Sequence, residues 1–312
     1  MNLDGTDRTV PMKFRLGEST VFSVTRTLRV VSRSPFDGDD SLLGPDDWPT
    51  IPAGLDGVFI RSAPVGEALA KTARASGAIR YVPDQFRRFF VDINAGFEAY
   101  EQKFSSKSRS TIRRKIRKFE KLSGGETEWR TYQTPVEVQE YFKLARKVSA
   151  KTYQERMLDS GLPESQDFQD RLMVLAEDNR FRGYLLFLEG EAIAYLHCPV
   201  ENNALIYQYL GYDPEHSKLS PGTVLQWLAL ESIFAEGAFD VFDFTGGEGE
   251  HKRFFSTGEQ LCADVFFLRD TASNAWLVRS HALAEGFSAQ AVSYLDKLGL
   301  KSRVKKLLRR AA

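Results

Sequence analysis

The order of apolar and polar residues divides the chain into short segments of different period. From Thr20 to Val31 the residues alternate, with Val21, Val24, Leu28 and Val30 among Thr, Ser and Arg, which predicts a strand. The residues before it read as a loose tail. Acidic, Gly- and Pro-rich sequence from Pro35 to Pro52 predicts a surface loop, and Leu55 to Ile60 a buried strand. Gly66 to Ser76 carries helix formers, with Leu69 and Ala73 spaced for one helical face. Ile79 to Pro83 and Phe86 to Val91 read as two further short strands. This alternation predicts a modest α/β domain.

Phe97 to Leu122 is mainly helical in pattern. Ser105, Ser106 and Ser108 offer caps for a helix whose Ile112, Ile116 and Phe119 form one stripe, and Ser123-Gly124-Gly125 stops it. That break predicts a boundary, with one domain over residues 1–125 and a second over 126–312. Trp129 to Tyr132 follows as a strand, then helices over about 136–151 and 164–178. Strands at 181–188, 192–200 and 204–212 are separated by the turns Glu189-Gly190-Glu191 and Glu201-Asn202-Asn203. A helix over 221–236, a strand over 239–244, a Gly-rich turn, a short helix and a strand over 261–268 complete the series.

Composition narrows the class of protein. Hydrophobic residues make up 42% and charged residues 27%, the balance of an ordinary soluble globular chain. Lys plus Arg equals Asp plus Glu at 42 each, which argues against a dedicated DNA binder. Cys198 and Cys262 lie in apolar stretches with no ligand-like spacing and read as free buried thiols. His197, His216, His251 and His281 show no metal-ligand spacing, so no metal is expected. No secretion signal or spanning run of about 18 apolar residues is visible, and the expected location is cytoplasmic.

Three segments carry a resemblance. The first is the Ser/Arg-rich run Ser108-Arg109-Ser110-Thr111-Ile112-Arg113-Arg114. The second is Leu219-Ser220-Pro221-Gly222-Thr223-Val224, after a Tyr-rich strand. The third is Phe242-Asp243-Phe244-Thr245-Gly246-Gly247, followed by His251-Lys252-Arg253. In this order they resemble acyltransferases of the GNAT superfamily, in the branch of FemAB-like proteins and acetyltransferases of cellulose biosynthesis. The resemblance implies an α/β fold with a GNAT-like mixed sheet flanked by helices, as two tandem GNAT-like domains, the first degenerate. It also implies acetyl-coenzyme A or a longer acyl-coenzyme A as cosubstrate, with its pyrophosphate held at the turn formed by Ser220, Gly222, Thr223 and Val224. This chain has one glycine there, where the family commonly has several.

The residues support this independently. Ser220-Pro221-Gly222 is a good helix start, whose unpaired amides and positive dipole end suit a pyrophosphate; the plain alternative is an ordinary capped helix. Asp is uncommon inside strands, so Asp243 asks for a reason: either it pairs with Lys252 or Arg253 and fixes the turn, or it is a general base or an orienting group for a substrate amine. His251 is a rival base. Lys252 stands where the resemblance places a Lys that binds phosphate or stabilises charge. Tyr207 and Tyr209 share one strand face by period, and the resemblance gives a tyrosine the role of protonating the departing thiolate; a packed aromatic face is the alternative.

The helix bearing Arg109, Arg113 and Arg114 is either a solvated basic face or a holder of an anionic substrate. A second basic amphipathic stretch, with Leu300, Val304, Leu307 and Leu308 among Lys and Arg, suggests an anionic membrane surface and a peripheral location. The expected activity is acyl transfer to an amine or hydroxyl in polysaccharide, cell-envelope or lipid metabolism. One alternative is an aminoacyl-tRNA-dependent peptidyltransferase of FemAB type. Another is a non-catalytic adaptor, in which side chains fill the space beneath Ser220 to Thr223.

Overall fold

In a computed structural model of the chain, residues 4–16, 19–33, 36, 42–152 and 161–297 are described, with residues 16, 19 and 289–297 as backbone alone. The basic stretch around Leu300 to Arg310 therefore lies outside the described residues, as do parts of the loop expected at Pro35 to Pro52.

In chain order the strands before the first helix are β1 (Thr6–Leu16), β2 (Ser19–Ser32), β3 (Gly57–Pro64), β4 (Thr72–Ala75) and β5 (Ala78–Asp92). Helices α1 (Phe97–Gln102) and α2 (Ser106–Leu122), strand β6 (Trp129–Tyr132), α3 (Pro135–Ser149) and α4 (Gln166–Glu177) follow. Then come β7 (Phe181–Leu188), β8 (Glu191–Glu201), β9 (Ala204–Ile206), β10 (Tyr209–Tyr212) and a 3-10 turn at Pro214–Leu219. The series ends with α5 (Pro221–Glu236), β11 (Val241–Gly246), α6 (Glu250–Phe255), β12 (Gly258–Arg269) and α7 (Ala272–Lys297).

The chain divides into two compact units, residues 1–87 with 260–312, and residues 88–259. The stop at Ser123-Gly124-Gly125 falls inside the second unit, so it ends a helix without ending a unit.

In the first unit β3 pairs with β2 in parallel and with β12 antiparallel, while β1 pairs antiparallel with β2. Three expectations change, and one is that the two short strands expected at Ile79 to Pro83 and Phe86 to Val91 are the single strand β5. The supposed tail is strand β1, whose Met12 and Phe14 are buried opposite Val24 and Phe22. The supposed helix at Gly66 to Ser76 is a loop ending in β4. Ser76 and Gly77 both have positive φ, 52° and 70°, and Ala75 pairs with Ala78, so they form the two-residue hairpin turn that right-twisted strands favour. That turn chemistry outweighed the helix formers before it.

The second unit is a mixed sheet between two layers of helices. Its strand order is β5-β11-β9-β8-β7-β6, with β10 also paired to β8. Only β9 and β11 run parallel; the other pairings are antiparallel. Strand β7 is apolar along nearly its whole length because both of its faces are covered. Tyr184 and Leu186 enter a core shared with α1, α2 and α5, while Phe181, Leu185 and Phe187 enter another shared with α3 and α4. Helix α5 is apolar nearly all round and ten of its residues are buried. Among the described residues no helix is long and apolar enough to cross a membrane.

Candidate functional site

The site begins with an interruption of one strand. Opposite β8, Leu205 pairs with Val200 and Tyr209 with His197, so four steps along one strand match three along the other. The extra residue is a β-bulge at 207–208, where the Tyr207 amide donates to the Asp243 carbonyl (2.8 Å) and the Gln208 amide to the His197 carbonyl (3.1 Å). An inserted residue reverses the alternation of side chains beyond it. Tyr207 and Tyr209, expected on one face, therefore enter different cores. Tyr207 packs on Phe242 and Phe244 with ring centres 6.2 and 5.5 Å away. Tyr209 faces Phe168 and His197 at 6.2 and 5.7 Å.

The same interruption parts two strands. Strands β9 and β11 are paired only through Ala204 to Ile206 and Val241 to Asp243. Beyond that, β10 continues on β8, while Gly246 of β11 lies opposite Arg88 of β5. The carboxyl ends of two parallel strands thus diverge, and such a point is where open α/β sheets bind ligands.

Asp243 sits at the parting point and is fully buried. Its carboxylate accepts from Arg88 Nε at 3.0 and 2.8 Å, from Arg88 Nη2, and from the Thr245 amide at 2.8 Å. The partner is Arg88, not the expected Lys252 or Arg253. Thr245 reaches this position through a left-handed conformation, φ 61°, which turns the chain out of β11. The carboxylate is engaged on both oxygens, by a cation from β5 and by the amide of the turn.

The turn delivers α6 to the mouth of the parting. His251 Nε2 lies 3.4 Å from the Tyr207 hydroxyl. Desolvation, with the Lys252 charge adding to it, holds the His251 imidazole below its ordinary pKa. Burial pushes the Tyr207 phenol well above its own, so it keeps its proton. Lys252 donates to the Gly246 carbonyl at 2.8 Å and closes the Gly-rich turn; desolvation lowers its pKa, against the opposing pull of Asp243. Lys103 grips the end of α6 through the carbonyls of Phe254 (2.8 Å) and Ser256, and burial brings its pKa down to about 8.

At the start of α5, Ser220 adopts a left-handed conformation (φ 55°) and its side chain caps nothing, contrary to the expected Ser cap. The Val224 amide bonds to the Ser220 carbonyl at 3.2 Å, and the Thr223 amide shares that carbonyl at 3.0 Å. A Cβ on Gly222 would lie 3.0 Å from Leu210 and 3.4 Å from Tyr212, so the glycine lets the helix start pack on β10. The Val224 side chain is buried in the core and its amide is engaged with Ser220, so the expected role of Val224 in holding a ligand finds no free group there.

In α2, Arg109 donates to the Phe104 carbonyl (3.0 Å) and Arg113 to Glu101 (2.8 Å), so both fasten α1. Arg114, with Arg117, Lys118 and Lys121, lies exposed along the helix. Neither Arg88 nor Lys103 was singled out from sequence. The available signal for Arg88 was an unlike charge in a second strand, a counterpart to Asp243. No group of three His, Cys, Asp or Glu side chains suited to a metal occurs among the described residues.

Residues 106–253, just under half of the chain, match the acetyltransferase (GNAT) domain family, and the second unit has the GNAT-like mixed sheet flanked by helices. Among solved structures, FemX is similar with a TM-score of 0.48 at 10% identity, covering 84% of this chain and 88% of FemX. The C-terminal domain of an Agrobacterium fabrum protein assigned as a lysylphosphatidylglycerol synthetase gives 0.46 at 11%, covering 69% and 67% of the two chains. The ribosomal-protein-S18-alanine N-acetyltransferase of Escherichia coli gives 0.28 at 11%, covering 46% and 96%. No curated protein matches the chain.

Proposed function

We propose that the chain transfers an acyl group from acyl-coenzyme A to an amine or hydroxyl acceptor. The observation that carries this reading is the parting of β9 and β11 directly beside the Tyr207–His251 pair. A thioester lying between the strand ends would present its carbonyl carbon to the acceptor and its sulfur to a phenol.

His251 takes the proton from the acceptor as the new C–N or C–O bond forms. A depressed pKa keeps its imidazole neutral, and therefore basic, near pH 7. As the C–S bond breaks, Tyr207 gives its proton to sulfur. The protonated imidazole then returns a proton to the phenolate across their 3.4 Å contact, which restores both residues. Asp243, fixed by Arg88, is a positioning residue: its carbonyl accepts from the Tyr207 amide and sets the place of that residue. The Gly222 amide and the left-handed Ser220 turn would meet the pyrophosphate, with Thr223 half-buried beside them. We take the first unit, residues 1–87 with 260–312, as the degenerate companion domain, in place of the residues 1–125 expected from sequence.

Exposed cations along α2 support a second reading, in which an aminoacyl-tRNA supplies the acyl group. Calorimetric titration with acetyl-, octanoyl- and palmitoyl-coenzyme A, and with aminoacyl-tRNA, tests both. Gly222→Glu would disturb packing against Leu210, so the informative variant is Thr223→Glu, which sets a negative charge at the helix start without filling that space. Saturable binding of one acyl-coenzyme A, weakened about tenfold or more by Thr223→Glu, is the expected result. Binding of aminoacyl-tRNA alone would select the second reading, and binding of neither would move the chain to the adaptor class.

A further inference from the structure

Helix α7 presents a row of large apolar side chains to solvent. Trp276 is 70% exposed, Leu283 67% and Phe287 68%. At 100° per residue these three positions fall within about 40° of one another, along roughly 16 Å of helix axis. They are not the helix's inner face, which is formed by Leu277, Val278 and His281 packed with Met12, Phe14 and Tyr81. Scattered exposed apolar residues need no explanation, but an aligned row ending in Trp and Phe marks a surface that meets something.

The charges around the row identify the partner. Arg279 is exposed at its margin. Glu285, the one acidic residue of the helix among those whose side chains are described, falls on the opposite side by helical position, and its charge acts on Tyr81 and His281 within the fold. From Lys297 to the last residue the sequence holds seven Lys and Arg and no Asp or Glu. An apolar stripe joined to a cationic run is suited to an anionic lipid surface: rings and Leu enter the headgroup boundary while the cations meet lipid phosphates. A second copy would bring the same positive charge and be repelled.

We infer that the outer face of α7, carrying Trp276, Leu283 and Phe287, docks the protein on anionic bilayers. This does not rest on acyl transfer, and the test needs no activity. The full chain is sedimented with vesicles of phosphatidylcholine containing about one-third phosphatidylglycerol, and with phosphatidylcholine alone. Brominated acyl chains in the anionic vesicles serve to quench Trp276, the most exposed of the four tryptophans. The expected result is binding to the anionic vesicles with quenching of Trp276. Binding should fall by about tenfold or more in the Trp276→Ser, Leu283→Ser, Phe287→Ser triple variant. Three outcomes would overturn the inference: equal binding to both vesicles, anionic binding that the triple variant leaves intact, or a dimer without vesicles that the variant makes monomeric. Quenching in the unaltered protein keeps the test decisive should the variant misfold.

Discussion

Two tyrosine–histidine couples flank the bulge at 207–208, and they behave in opposite ways. Tyr207 and His251 meet at the mouth of the strand parting, with the imidazole exposed and 3.4 Å from the phenol. Tyr209 and His197 meet edge to face inside a cage of Phe168, Phe181 and Tyr141. There His197 is buried, its Nδ1 finds no partner among the described residues, and burial drives its pKa down to about 3. Residue type therefore says little about role here. One inserted residue sends the first tyrosine to the mouth of the parting beside His251 and the second against His197 and Phe168.

The comparison can be broken or sharpened in graded steps. Arg88→Ala should have the largest effect, since it strands a buried carboxylate beneath Tyr207; a stability loss of about 3–5 kcal/mol, read by denaturant unfolding, is expected. If the loss is under about 1 kcal/mol, the pair does not anchor the site. Deleting Gln208 removes the bulge while Tyr209 keeps its place opposite His197, and it takes away the slack by which the Tyr207 amide reaches the Asp243 carbonyl. We expect transfer to fall about tenfold or more, with stability lowered by about 1 kcal/mol for the lost bond.

Tyr207→Phe should slow transfer about a hundredfold with little change in melting temperature, whereas Tyr209→Phe should slow it less than about threefold. Equal effects would merge the two couples. The buried His197 should set an acid limit on stability. His197 is neutral in both states above its unfolded value of 6.5, but below that pH only the unfolded chain takes up the proton. Stability should then drop by about 1.4 kcal/mol per pH unit towards pH 3, and His197→Phe should flatten this slope in urea titrations at pH 4–7. The open couple sets an acid limit on rate. The acid limb of kcat/KM should inflect below 6.5, and Lys252→Gln, which removes a lowering charge, should raise that inflection by less than about one unit. An unmoved limb would remove His251 from the role of base.

Much of the second unit was legible in its sequence. The Pro-Gly start of α5, the apolar run of β7 and the turns at 189–191 and 201–203 are local signals, and the elements stand where they point. The bulge was not legible, because Ile206 to Leu210 alternates without a break in type and only the pairing with β8 reveals the extra residue. Asp243 was legible as an anomaly, but its explanation is Arg88, a residue 155 positions earlier. In the first unit Val10, Met12 and Phe14 already carried the period of a strand, and Ser76-Gly77 the mark of a hairpin. Both signals are short and were outweighed by neighbouring polar residues and helix formers.

The distance between Arg88 and Asp243 has a consequence for biosynthesis. A ribosome adding roughly 5–20 residues per second needs on the order of ten seconds to supply the carboxylate after the guanidinium has been made. Lys103 waits as long for the carbonyls of Phe254 and Ser256, and β3 waits longer still for β12. Neither unit can close on a nascent chain that stops short of residue 250. The apolar strands made first must spend that interval uncovered, and a chaperone able to shield them would set the yield of active protein.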